Sequence, residues 1–257
     1  MSQLVDRTIT ALRSEHATLA GLVRALTDDQ LATTSGAAEW TVAQALSHLG
    51  SGAEIGRAPI ARAAGETVAA EDNQTIWARW DASTPRAQAE GFLEHNRRWL
   101  DTVEALTPEQ RSSLTVDLGF LPEPVPLLTA LGMRLSEVAN HSWDVRVAFD
   151  PNAEVDADSA AVLVDLLTGP VGFMLSFLAK PAELANPVSL AVPGAGLVID
   201  DAVTLVDHLD APSASFNGSA EAFVRLISGR LKAPYDNGVT LEGSITLDDL
   251  RRVFPGF

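Results

Sequence analysis

Met133-Arg-Leu-Ser-Glu137-Val-Ala-Asn-His141-Ser-Trp-Asp144-Val145 lies inside a longer run in which Leu127, Leu128, Leu131, Leu135, Val138, Val145 and Phe149 recur along one helical face. Glu137 and His141 stand at i and i+4, about 5–6 Å apart on one face of such a helix, the spacing that two ligands carried by one helix require. At about 100° per residue Glu137, His141 and Asp144 lie together on the flank of the apolar stripe. A flank of this kind faces the edge of a bundle interior, where neighbouring helices can add a third ligand. Imidazole with carboxylate suits Zn²⁺, and Ni²⁺, Fe²⁺ and Mn²⁺ are compatible with the same donors. The same spacing also arises as a solvated i,i+4 pair on a surface helix. Asp144, three residues after His141, is placed either to orient that imidazole or to join the ligand set, and Arg134 and Trp143 crowd the same segment. His16, His95 and His208 have no carboxylate three or four residues away and read as surface or capping residues. His48 lacks one too, so pattern alone selects no third ligand.

Upstream, the chain reads as helices with recognisable start signals. Leu4, Ile9, Leu12, Leu19, Leu22, Val23 and Leu26 fall near helical spacing, and Thr27-Asp28-Asp29-Gln30 has the form of a capping box. Thr41 with Gln44 opens a second helix, whose buried stripe is Val42, Ala45, Leu46, Leu49 and Ala53 and which carries His48. A third helix follows Ser83-Thr84-Pro85 and runs through Phe92, Trp99 and Val103 to Leu106, and Thr107-Pro108-Glu109-Gln110 starts a further short turn. The three prolines between Gly119 and Pro126 make that segment a linker. The run from Leu127 is the fourth long helix, and four such helices suggest an antiparallel bundle.

Beyond Asp150-Pro151 the texture changes. A helix is predicted from about Ala157 to Ala179, then strands over Val188–Val192, Leu197–Ile199 and Val203–Val206, a helix opening at Gly218-Ser219-Ala220-Glu221, a strand over Val239–Leu241 and a last helix over Leu247–Phe254. The shift in composition puts a boundary near residues 150 to 156. The expected architecture is a helical bundle over residues 1–152 followed by a smaller α+β domain over residues 153–257.

Composition narrows the function. The 257 residues are 46% hydrophobic and 20% charged, which describes a folded protein. Eighteen basic residues, scattered along the chain, stand against 34 acidic ones for a formal charge of −16, which argues against a nucleic-acid partner. No apolar run is long enough for a membrane span, and MSQLVDRTITALRSEH enters a helical pattern without a basic start and apolar core, so no membrane partner and a cytoplasmic location are expected. The chain has no cysteine, which excludes a disulfide framework, a cysteine zinc site and a cysteine nucleophile.

Glu39-Trp-Thr-Val-Ala-Gln-Ala-Leu-Ser-His48-Leu, then Pro124-Val-Pro126, then the quoted Glu137 to Asp144 stretch resemble the mycothiol-dependent maleylpyruvate isomerase family, a branch of the DinB-like metal-binding bundles. The likeness extends to Asn217-Gly-Ser-Ala-Glu-Ala-Phe-Val-Arg-Leu-Ile-Ser-Gly-Arg230-Leu and to the ending Val253-Phe-Pro-Gly-Phe257, which look like the family's C-terminal domain, similar to sterol carrier protein folds. The resemblance implies His48 as third ligand beside Glu137 and His141, an open fourth position on the metal, and mycothiol as the thiol cofactor. It further implies either cis-trans isomerisation of a maleylpyruvate-like unsaturated acid or thiol transfer to an electrophile. In both, cations are needed for an anionic substrate or enolate charge. Arg230, which matches a family arginine, is the first candidate, Arg79 and Arg134 are further candidates for binding substrate or cofactor, and Asp144 joins the catalytic set. Two other classes fit the same residues: a metal-dependent hydrolase that activates water, and a non-catalytic protein whose C-terminal domain holds an apolar small molecule.

Overall fold

A computed structural model describes all residues except Met1, Ala38, Ala70, Asn237 and Phe257, with the side chain of Ser2 also outside it. Phe257, which ends the C-terminal stretch quoted above, therefore lies outside the described residues. The chain divides into two compact units, Met1–Ala153 and Glu154–Phe257.

The first unit runs α1 (Ser2–Ala25), α2 (Asp28–Leu31), α3 (Val42–Ala63), α4 (Asn73–Asp81), α5 (Pro85–Glu104), α6 (Pro108–Ser113), a two-stranded ribbon of β1 (Thr115–Val116) and β2 (Val125–Pro126), and α7 (Leu127–Val147). Helix starts follow the side chains that can take up free backbone amides. Complete capping boxes form at Thr27 with Gln30, Thr41 with Gln44 and Thr107 with Gln110, and Thr84 caps α5 just before Pro85. Four long helices, α1, α3, α5 and α7, enclose a core of Leu19, Leu46, Leu49, Phe92, Trp99, Leu131 and Leu135, all 2% exposed or less. The ribbon closes the proline-rich linker, and Leu127 N–H donates to the Leu114 carbonyl at 2.9 Å as α7 begins.

Helix α4 is not foreseen by the sequence reading. It docks through Trp80, whose indole fills the space between α3 and α5. A Cβ on Gly50 or Gly91 would come within 2.2 or 2.7 Å of that ring, so both helices need glycine where the indole enters. Trp80 Nε1–H donates to Glu54 at 2.7 Å, and the Trp80 carbonyl accepts from Gln88 Nε2 at 3.1 Å. An aromatic ring on this scale buries about 150–250 Å² and needs its N–H satisfied, and both conditions are met.

In the second unit, the helix predicted from Ala157 to Ala179 is broken. Helix α8 (Ala157–Leu167) stops before Gly169-Pro170, where proline has no N–H and clashes with the preceding turn. A 3₁₀ turn, Gly172–Met174, and α9 (Leu175–Leu178) follow, at 89° to α8. The sheet contains β3 (Val188–Val192), β4 (Ala195–Ile199), β5 (Val203–Val206), β6 (Ala214–Asn217) and β7 (Thr240–Gly243) in the order β5-β4-β3-β6-β7, antiparallel except for β3 with β6. Helix α10 (Ala220–Ile227) packs on α8, and α11 (Leu247–Val253) ends the described chain. Alternation along β3 buries Val188, Leu190 and Val192, as period-two patterning requires. Among the described residues no single helix is long and apolar enough to cross a membrane.

The wedge yields a prediction. Trp80→Ala is expected to cost about 3–5 kcal/mol of stability, the range for deleting a buried large aromatic. Trp77→Ala, three residues earlier and 43% exposed, is expected to stay within about 0.5 kcal/mol. Urea unfolding followed by helix signal measures both.

Candidate metal centre

Helix α3 carries His48 and α7 carries Glu137 and His141, and the two helices bring one donor atom from each residue to within 4.8 Å of the others. His48 Nε2 lies 2.8 Å from Glu137 Oε2, and His141 Nε2 lies 3.7 Å from the same oxygen. The imidazoles sit edge to face at 4.7 Å between centroids. The His48 and Glu137 side chains keep 42% and 47% of their surface open, whereas His141 keeps 14%. The cluster is thus closed behind His141 and open over the other two.

The closed side is built from the sequence around Asp144 and Trp40. Asp144 is fully buried, and its Oδ2 lies 2.8 Å from His141 Nδ1. A carboxylate only accepts, so Nδ1 carries the proton and Nε2 turns its lone pair to the cluster. This is the arrangement in which a carboxylate orients a metal-binding histidine. Of the two placements open to Asp144, the structure shows the contact with His141 Nδ1, and Asp144 is not among the three clustered donors. Trp40 covers both imidazoles, with centroids 5.0 Å from His48 and 5.5 Å from His141, the latter stacked at 29°. The Trp40 carbonyl accepts from Ser35 N and Ser35 Oγ at 2.8 and 2.9 Å, and Gly36 N–H donates to the Asp144 carbonyl at 2.7 Å. A Cβ on Gly36 would lie 2.7–3.0 Å from Val147, Asp144 and Trp143, so only glycine lets this loop reach α7. The sequence reading includes Trp40 in the family-resembling Glu39–Leu49 stretch but gives it no role at the site. Its signal as a site residue is an aromatic just before the N-cap of the helix that carries a ligand.

Charge is arranged around Glu137. Burial works to raise its pKa, but the hydrogen bond from His48 and the charges of His141, His48 and Arg134 outweigh it and hold the carboxyl at about 2. Arg134, one turn before Glu137, is drawn down to about 10 by burial, against the pull of Glu137, and stays charged at neutral pH. It is half-buried between α3, α5 and α7. Nη2 donates to the Leu49 carbonyl and to Asn96 Oδ1, each at 2.8 Å, and the guanidinium carbon lies 5.9 Å from the Trp99 ring centroid.

The remaining predicted residues fall elsewhere. Arg79 on α4 spends its guanidinium on Glu54 and Glu71 at 2.5 and 2.6 Å, beside Trp80 and His95. Arg230 belongs to the second unit, half-buried in the turn after α10, where Nη1 donates to the Ser228 carbonyl at 3.1 Å. The expectation that His16 and His95 are surface or capping residues is corrected. His16 is half-buried and accepts at Nδ1 from Asn96 Nδ2 at 2.9 Å, and His95 is packed edge-on to Trp80 with its side chain 22% exposed. Burial is the main cause that lowers both pKa values, which favours the neutral imidazole that the acceptor role of His16 needs. His208 is 80% exposed, as expected.

The fold and site define a helical-bundle protein that presents two histidines and a glutamate from paired helices at an open edge. Residues 12–146, more than half of the chain, match the family described as "Mycothiol maleylpyruvate isomerase N-terminal domain", and the chain belongs to that family. Two solved structures are similar to it over 94% of both chains, with a TM-score of 0.62 and 18% identity: a mycothiol-dependent maleylpyruvate isomerase and a histidine-to-alanine variant of that enzyme. At this identity the likeness is one of fold. No curated protein matches in sequence.

The Asp144 contact is open to a direct check. In ¹⁵N-edited long-range NMR spectra, His141 is expected to appear as the Nδ1–H tautomer in the wild type and to lose that fixed pattern in Asp144→Ala.

Proposed function

We propose that this protein is a cytoplasmic, metal-dependent enzyme that uses mycothiol, either to isomerise a maleylpyruvate-like unsaturated acid or to transfer the thiol to an electrophile. The single observation that carries the reading is the open three-donor cluster with Asp144 behind His141. The donor set fits a divalent metal of the zinc type, because two imidazoles and one carboxylate leave a fourth tetrahedral position free, as in catalytic rather than structural sites. A metal held there supplies the positive charge that favours the thiolate form of an incoming thiol.

The chain's own residues do the rest. Asp144 fixes the His141 tautomer, so Nε2 needs no reorientation to act as a ligand. Trp40 keeps water from the closed side of both imidazoles. The depressed pKa of Glu137 keeps it an anion throughout the physiological range, ready to serve as a ligand without first losing a proton. Arg230, in the second unit, is put forward as a cation for an anionic group by the resemblance alone. Arg79 is given no part in the chemistry, because Glu54 and Glu71 already occupy its fork. The absence of cysteine agrees with an imported thiol.

Elemental analysis of protein purified without chelator is expected to find one divalent metal per chain in the wild type and none in His141→Ala. Asp144→Asn is expected to weaken metal affinity by about 10- to 100-fold. A wild type without stoichiometric metal overturns the site. In turnover assays with unsaturated acids and other electrophiles, mycothiol is expected to be required. Product formed by water alone would instead select the hydrolase.

A further inference from the structure

The two imidazoles of the cluster are held by different means. His141 has the buried carboxylate of Asp144 on Nδ1, 2.8 Å away. His48 turns Nε2 to Glu137 at 2.8 Å, and among the described residues its other ring nitrogen has no hydrogen-bond partner. A histidine that binds metal through one nitrogen almost always spends the other on an acceptor, which fixes the ring. His48 departs from that rule. Its side chain is 42% exposed, so only packing can keep the ring from turning.

Trp40 supplies that packing. Its ring centroid lies 5.0 Å from that of His48 with the planes 41° apart, and His141 adds an edge-on contact at 4.7 Å. Helix geometry explains how two residues eight apart in the sequence meet. Side chains on a helix lean towards its N-terminus, so His48 tips back towards the start of α3, where Trp40 stands just before the Thr41 cap. Trp40 is itself fixed. Its N–H donates to the Ala37 carbonyl at 2.8 Å, its carbonyl accepts from Ser35, and Thr34 pairs with Thr41 across the same loop. Gly36, in that loop, donates to the Asp144 carbonyl at 2.7 Å. Asp144 thus anchors both supports: its carboxylate meets His141, and its carbonyl holds the loop that carries Trp40.

We infer that Trp40 is the positioning residue for His48: its indole does by packing what Asp144 does for His141 by hydrogen bonding, and keeps Nε2 aimed at Glu137. A flat ring restricts the plane of an imidazole without selecting its tautomer, whereas a carboxylate does both. The cluster therefore has one ligand fixed in tautomer and orientation and one fixed in orientation alone. The use of this ordering for metal binding rests on the proposed metal chemistry, whereas the ordering of the His48 ring does not.

The test is side-chain NMR of the histidine-labelled full-length protein, stripped of metal, followed by zinc titration in competition with a chromophoric chelator. In Trp40→Leu the His48 ring resonances are expected to shift and broaden, while the His141 Nδ1–H pattern stays as in the wild type. Zinc affinity is expected to fall by about tenfold or more, the scale for losing a support of a metal-binding histidine. Trp40→Phe, which restores a flat ring, is expected to return both readouts to near the wild type. Trp40→Met, which fills the space without a flat face, is expected to behave as Trp40→Leu does, and it carries the test if the leucine variant fails to fold. A general support of the fold would loosen both histidines together or leave neither variant folded, and either result overturns the inference. So does a His48 ring that stays ordered without the indole, or zinc affinity that remains near the wild-type value in both variants. If the wild type binds no zinc, the metal reading fails, and the His48 spectra of the metal-free protein still decide whether Trp40 positions the ring.

Discussion

A half-buried, charged guanidinium ties together every long helix of the first unit. Arg134 on α7 donates to the backbone of α3 at Leu49 and to Asn96 on α5, and Asn96 in turn donates to His16 on α1. Each bond fixes the next. The Asn96 amide can accept from arginine and donate to histidine in only one orientation, and His16 can accept only while neutral. Polar networks in a low-dielectric interior are strongly directional, and a misplaced member is expensive. The network therefore sets how α3 lies against α7, and with it the distance between His48 and Glu137 one turn away.

The wedge at Trp80 makes the complementary demand on α3 and α5. Gly50 and Gly91 leave room for the indole, and Glu54 takes its N–H. Close packing at Gly50 and polar bonding at Leu49 and Glu54 hold the middle of α3 against its neighbours. The second unit solves its buried charge differently, because Glu221 sits one turn from Arg225 on the same helix and neutralises it locally. Arg225 is thus tied within its own helix, whereas Arg134 ties α7 to α3 and α5.

Much of this was legible along the chain wherever the cause is local. Capping boxes announce α2, α3 and α6 because the donor and acceptor are three residues apart, and the Glu137 to His141 spacing places two donors on one face without any tertiary information. The four-helix core and the change to strands beyond residue 153 follow from periodicity. Features that depend on distant residues were not legible. Helix α4 is held by glycines 30 residues before and 11 after Trp80, and the stacking of Trp40 on two imidazoles needs α3 and α7 to be already in contact. The break in the helix after Leu167 had its signal, Gly169-Pro170, but continuous apolar periodicity on either side masked it. His48 entered by resemblance, because its nearness to Glu137, His141 and Trp40 exists only once α3 and α7 are packed together.

The unequal exposure of the three donors also sets a direction of approach. Trp40 walls one side, Asp144 anchors His141 from behind, and only the edge formed by His48 and Glu137 meets solvent. Traffic into the cluster has one direction. A metal held by these three donors would be approached from the side of His48 and Glu137, while His141, tethered by Asp144, would be the donor least free to turn away from it.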